Sequence, residues 1–177
     1  MILPFSTKWP NGQPTCFIEK IWQGLNQTKP EMTKLFKFDW ENAYEEKFGE
    51  LWDGALDDKA QAPKLHTIRE DAKDRWHAGC KIHMVVFNRS KNQFQFAPVL
   101  ECTAVQRIRI WEAIAYDYYI DIDGRMLRQG DDVNELNRIA RNDGFESIEK
   151  MITWFKLDNK APLDFTGKII HWTDLRY

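Results

Sequence analysis

The segment Lys64-Leu65-His66-Thr67-Ile68-Arg69 brings a lysine, a threonine hydroxyl and an arginine close together. In an extended chain Thr67 and Arg69 project to the same face, and Lys64 reaches that face by its long stem. A hydroxyl between two cations suits an anion or a polarised carbonyl, and a desolvated lysine beside Arg69 can deprotonate the hydroxyl and make it a nucleophile. The same residue types also fit a solvated edge strand in which threonine is chosen for its β propensity. A second chemical clue is Asp143 in Ala-Arg-Asn-Asp-Gly-Phe. If Gly144 is the first residue past a helix, the Asp143 carboxylate stands at the negative end of that helix, where a cation would be favoured by about 0.3–1 kcal/mol. A carboxylate set against its local field points to a site, although Asp beside Gly is also ordinary turn chemistry.

Around the first cluster, residues 64–91 carry seven Lys or Arg against three acids and three of the four histidines, a basic stretch in a chain whose net charge is -2. Arg75 and Trp76 fall inside it as candidate ligand contacts, one for charge and one for stacking on a base. Phe87, Phe94 and Phe96 could stack in the same way, or belong to the core. His77, Cys80 and His83 have a spacing that imitates a zinc site, but strand alternation sends Cys80 and His83 to opposite faces and a fourth ligand is not evident. No P-loop and no nucleophile elbow occurs. The expectation is therefore no metal and no cofactor.

The elements that must position these residues are read from periodicity. Phe17, Ile18, Ile21 and Trp22 predict a helix from Thr15 to about Gln23. Residues 24–63 read as an acid-rich insertion, in which Asp39 caps a helix with Trp40, Tyr44, Phe48, Leu51 and Trp52 on one stripe and Gly54 as its stop. Alternation predicts a strand from Lys81 to Phe87, and β-branched residues predict another within Leu100 to Trp111. Asp123-Gly124 predicts a hairpin between Tyr116–Ile122 and Arg125–Leu127. Asp132 with Glu135 opens a helix that Gly144 ends, Ser147 opens the next with Ile148, Met151, Ile152 and Phe155 buried, and a last strand falls within Phe165 to Trp172. Strands in the middle and at the end, with helices before and between them, exclude a regular βαβ alternation.

With 177 residues, 43% hydrophobic residues, eight Trp and eleven Phe, the chain has the apolar content of one globular domain and not of a disordered segment. The near-neutral charge excludes attraction of the whole protein to nucleic acid or anionic membrane, so a basic site must be local. No run is long enough to span a bilayer and no export signal is evident; three cysteines in no repeated spacing fit reduced thiols. The expected compartment is the cytoplasm, with no membrane association and no oligomeric state specified.

The order Lys64-x-x-Thr67-x-Arg69, Gly79 before an alternating strand, Ala140-x-x-Asp143-Gly144-Phe145 before a Ser147-capped helix, and a closing strand resembles the ASCH domain of the PUA-like superfamily. The resemblance covers residues 17–19 and then Lys64 to Tyr177. It implies an α+β fold, a small PUA-like β-barrel with flanking helices, as one domain over 1–177 interrupted by the insertion 24–63. It implies as ligand a modified nucleoside or RNA, held in a Lys/Thr/Arg/Asp pocket. Some small ASCH proteins are amidohydrolases that remove the acetyl group of N4-acetylcytidine. Carried over, this assigns Lys64 as the base, Thr67 as the nucleophile and Asp143 as the catalytic carboxylate, with Arg69 supporting the anionic intermediate. The alternative is a non-catalytic RNA-binding module. Asp143 stands where the family has Glu, and Pro63 where it has Gly. Outside the signature, the chain resembles uncharacterised proteins of phages and gut bacteria, which carry no function across.

Overall fold

The computed structural model describes residues 1–52, 63–113, 117–158 and 162–177. In chain order the elements are β1 (Ile2–Pro4), α1 (Phe17–Thr28), α2 (Pro30–Phe48), β2 (His66–Arg69), β3 (Lys81–Val86), β4 (Phe94–Gln95), β5 (Leu100–Glu101), β6 (Ala104–Glu112), β7 (Tyr118–Ile122), β8 (Arg125–Arg128), α3 (Val133–Asn142), α4 (Ile148–Asp158) and β9 (Asp164–His171). The fold is mixed α+β, with four helices and two sheets among the described residues. It divides into two compact units, one of residues 1–64 with 80–101 and the other of residues 65–79 with 102–177. No helix among the described residues is long and apolar enough to cross a membrane.

In the first unit β3 is the hub, pairing in parallel with β1 and antiparallel with β4 and β5. Ile82, Met84 and Val86 are fully buried, as their alternation predicts. The first helix runs five residues past the expected Gln23. Gly24 does not stop it, because Leu25 beyond it is fully buried and that burial outweighs the roughly 1 kcal/mol cost of a helical glycine. The second helix starts nine residues before Asp39, at Pro30, whose fixed φ suits a first turn. Asp39 is an exposed mid-helix residue, and Gly49 at φ 72° supplies the stop. Trp40 and Tyr44 do form the buried stripe, whereas Leu51 is exposed beyond the helix; Gly54 lies outside the described residues. Trp22 stacks on Trp40 at 5.9 Å and donates its indole N–H to the Phe96 carbonyl at 3.1 Å.

The second unit is one antiparallel sheet in the order β2-β9-β6-β7-β8, with α3 and α4 following its hairpin. The hairpin turns at Asp123 (φ 52°) and Gly124 (φ 90°), the two positive φ values a type I′ turn requires; Tyr116, the expected start of its first strand, lies outside the described residues. Among those residues, β2 and β8 are open edges and the sheet does not close into a barrel. Gly167 in β9 is a close-approach position, since a Cβ there would meet the Arg69 carbonyl oxygen at 2.4 Å. Ile148, Met151, Ile152 and Phe155 of α4 are buried as their spacing predicts.

Candidate functional site

Lys64 belongs to the first unit. Its backbone N–H donates to the Lys20 carbonyl at 2.9 Å, and its buried Nζ sits 4.8 Å from the centre of the Phe17 ring and 5.9 Å from that of Phe5. Thr67, Arg69 and Asp143 belong to the second unit and are described there.

Asp143 is positioned by the way α3 ends. The Phe145 N–H bonds the Ala140 carbonyl at 2.9 Å and the Gly144 N–H bonds that of Arg141 at 2.8 Å, with Gly144 at φ 87°. This is a Schellman ending, which Gly144 accommodates because it has no Cβ. The Asn142 carbonyl then accepts the Leu65 N–H at 2.7 Å, tying the end of α3 to the start of the edge strand β2. Asp143, only 2% exposed, is thereby brought beside His66, with 3.7 Å between its Oδ1 and Nδ1. Burial lowers the pKa of Arg69, and the charge of Asp143 acts in the opposite direction. A guanidinium thus offsets a carboxylate that the helix end disfavours, with an imidazole beside it.

His66 is also oriented from its other side. Nε2 lies 2.7 Å from the Tyr177 hydroxyl, which accepts a 2.9 Å bond from Asn142 Nδ2. The direction of the bond between Nε2 and the Tyr177 hydroxyl follows the tautomer of the His66 ring, whose Nδ1 faces Asp143. Tyr177 itself is clamped by the Gln106 amide, whose Oε1 accepts the Tyr177 N–H while Nε2 donates to the Tyr177 carbonyl, both at 3.0 Å. Burial raises the pKa of the Tyr177 phenol, so at neutral pH it is a hydrogen-bond donor and not an anion.

Directly across the β2–β9 ladder, His66 pairs with His171 at 5.5 Å between rings. His171 is fully buried, and among the described residues neither of its ring nitrogens finds a hydrogen-bond partner. Desolvation, assisted by Arg176, lowers its pKa to about 4. It is a neutral imidazole with a donor and an acceptor both unspent.

Thr67 is buried and, by strand alternation, faces the side of β2 opposite His66, the side it shares with Arg69. Arg75 is exposed, with its Nε 4.0 Å from Asp71. Trp76 is buried; its N–H donates to Asp71 at 2.9 Å and its carbonyl accepts Lys168 Nζ at 3.1 Å. Burial alone would raise the Asp71 pKa, but the Trp76 and Arg75 N–H groups and Lys168 together leave it lowered. The structure therefore couples Asp143 to Arg69 and to His66, and fixes Arg75 and Trp76 on a loop built around Asp71. His66, Asn142, His171 and Tyr177 are given no role in the sequence reading. The available signal was one histidine in each of two extended segments, KLHTIR and KIIHW. Among the described residues no group of His, Cys, Asp and Glu is arranged to hold a metal ion.

No family model, no curated protein and no solved structure matches this chain.

Proposed function

We propose that the protein binds a modified nucleoside or an unpaired RNA base through a buried polar site on its second unit, with Asp143 and Arg69 as its charged groups, in the manner of an ASCH-like protein; Thr67, on the side of β2 opposite His66, is the hydroxyl that the ASCH resemblance adds. The observation that supports this reading is Asp143. A nearly inaccessible carboxylate at the wrong end of a helix, beside His66 and coupled to the charge of Arg69, is more than a turn requires, and a surface for phosphate alone would not include it. Base edges are arrays of donors and acceptors, which imidazole, carboxylate and guanidinium groups match. The finer assignment, a PUA-like barrel, rests on the ASCH-like signature, with the α+β fold as its frame.

Hydrolysis of an acylated cytidine amide is the reaction such a site would carry. Thr67 Oγ1 passes its proton to a general base and attacks the acyl carbon, the bond to N4 breaks as that proton, relayed by Asp143, reaches the leaving amine, and water cleaves the acyl-threonine ester, releasing the carboxylic acid and restoring the Thr67 hydroxyl. The experiment is incubation of the protein with N4-acetylcytidine, comparing wild type with Thr67→Ala, Asp143→Asn and, for the base implied by the ASCH resemblance, Lys64→Ala. Turnover abolished by Thr67→Ala and Asp143→Asn supports hydrolysis. Saturable nucleoside or RNA binding without turnover, weakened by Asp143→Asn, supports the binding module. Neither turnover nor binding rejects the proposal.

A further inference from the structure

The helix α2 is apolar on two sides. Inwards it buries Thr33, Trp40 and Tyr44, with Trp40 stacked on Trp22 and Tyr44 packed against Phe94. On the opposite side Leu35 and Phe38, three positions apart and so neighbours on the helix surface, are 68% and 69% exposed. A helix with apolar residues on both sides is suited to burying both. Glu31 and Asn42, both exposed, continue the outer stripe towards its two ends. Charge is distributed unevenly along the helix: residues 30–38 carry Lys34 and Lys37 against Glu31, whereas residues 39–48 carry Asp39, Glu41, Glu45 and Glu46 against Lys47.

We propose that the outer stripe of α2 is the surface through which two copies of this chain pair, α2 against α2, antiparallel about a twofold axis. Charge sets the direction. Antiparallel helices place the lysine-bearing half of each against the acidic half of the other, whereas parallel helices would place four carboxylates against four. The helix dipoles favour the same arrangement. Packing fixes the register. With Leu35 of each copy against Phe38 of the other, Asn42 comes opposite Glu31, whose carboxylate its amide can bond, and Lys34 comes beside Glu41, because both flank the stripe on one side. Each contact occurs twice, as a twofold interface requires. Lys34 lies 3.1 Å from Glu31 of its own helix, but both side chains are largely exposed and such a pair is too weak to hold Lys34 back. An anionic membrane or an acidic partner would meet Glu31, Asp39 and Glu46 along the same stripe, so a second copy fits it better. The 19-residue helix is about 28 Å long, a contact at the small end of specific interfaces, and the dimer is accordingly weak and concentration-dependent. Every residue named here lies in the first unit, so the pairing is independent of the nucleoside reading.

The experiment is sedimentation equilibrium of the full chain over a concentration series, with circular dichroism to verify that each variant keeps the wild-type helix content. The weight-average mass is expected to rise from 21.0 kDa towards twice that value, with half-dissociation between about 10 and 300 µM. Phe38→Glu, a change at an exposed position, is expected to leave the chain monomeric throughout. Glu41→Lys sets two lysines against each other at both ends of the contact and is expected to weaken pairing about fivefold or more. Adding Lys34→Glu to that variant restores opposite charges and is expected to return the affinity to within about threefold of wild type, a rescue that a merely local effect on α2 would not give. A wild-type chain that stays monomeric over the whole series overturns the proposal. Dimerisation that survives Phe38→Glu places the contact on another surface and overturns it as well, and pairing that the double charge swap fails to restore overturns the antiparallel register.

Discussion

The two compact units bury their charged and polar groups by different means. In the first, the buried Lys64 ammonium lies over the rings of Phe17 and Phe5, and the surrounding core is aromatic, with Trp22 stacked on Trp40 and Phe94 packed against Tyr44. In the second, the buried groups are imidazoles, carboxylates and their partners: Asp143 beside His66, Asp71 with Lys168, and His171 with its ring nitrogens unspent. A ring quadrupole does not titrate, whereas an imidazole or carboxylate changes its charge with pH. The share of stability that comes from packed aromatic rings should therefore be independent of pH, whereas the share that comes from His171 and Asp71 should follow it.

The largest expected effect tests the first half of that contrast. Trp22→Ala removes a nearly fully buried indole, its stack on Trp40 and its bond to the Phe96 carbonyl, a loss of about 3–5 kcal/mol. Urea unfolding at pH 5 and pH 8 should give the same loss; a marked difference would break the contrast from the aromatic side.

A smaller effect, of opposite character, belongs to His171. Its folded pKa of about 4 lies below the ordinary 6.5, so the unfolded chain takes up the proton first as pH falls. Stability is intact above pH 6.5, declines through the window from 6.5 to 4, and levels off below it, a total of about 3 kcal/mol. In His171→Phe this part of the pH dependence should vanish, read as a flatter plot of unfolding free energy against pH. An unchanged slope would show that His171 is not buried as a neutral ring.

The smallest effect is that of Lys168→Met. Lys168 bonds Asp74 and the Trp76 carbonyl and lies 3.1 Å from Asp71, whose side chain is 1% exposed. Removing the ammonium should cost about 1–2 kcal/mol at pH 7. The Asp71 pKa is lowered in the folded protein, so the contribution is present above the ordinary carboxylate value and fades as pH falls through the folded one. The cost of the variant, measured by urea unfolding at pH 7 and pH 3, should shrink at the lower pH. A constant cost would mean that Lys168 acts through its stem and not its charge.

How much could be read in advance differs between the units for physical reasons. In the second unit the decisive signals are local. Asp123-Gly124 needs only two adjacent residues to turn a hairpin, Gly144 ends α3 through bonds reaching back a few residues, and the stripe from Ile148 to Phe155 is contained in one helix. In the first unit the start of α2 at Pro30 was missed because Asp39 also has a capping side chain, and a capping residue inside a helix looks the same in sequence as one at its start. Asp143 was legible because its neighbour Gly144 marks the end of a helix. His66 was not, since it is one of three polar residues in β2 and nothing sets it apart until its partners are known.

The sequence by itself determined the element types over most of the described chain, the hairpin, the helix end that carries Asp143, and the alternation that puts Thr67 and Arg69 on one side of β2. Each depends on contacts within a few residues, so the pattern and the structure report the same thing. Only the tertiary structure decided that His66 stands across from His171, that Asn142 and Tyr177 orient the His66 ring, and that Glu19 holds the indole of Trp52. Those pairings join residues between 33 and 111 positions apart, and no local periodicity encodes them. They are set by strand register and by helix ends docking on strand edges, which exist only once the chain has packed.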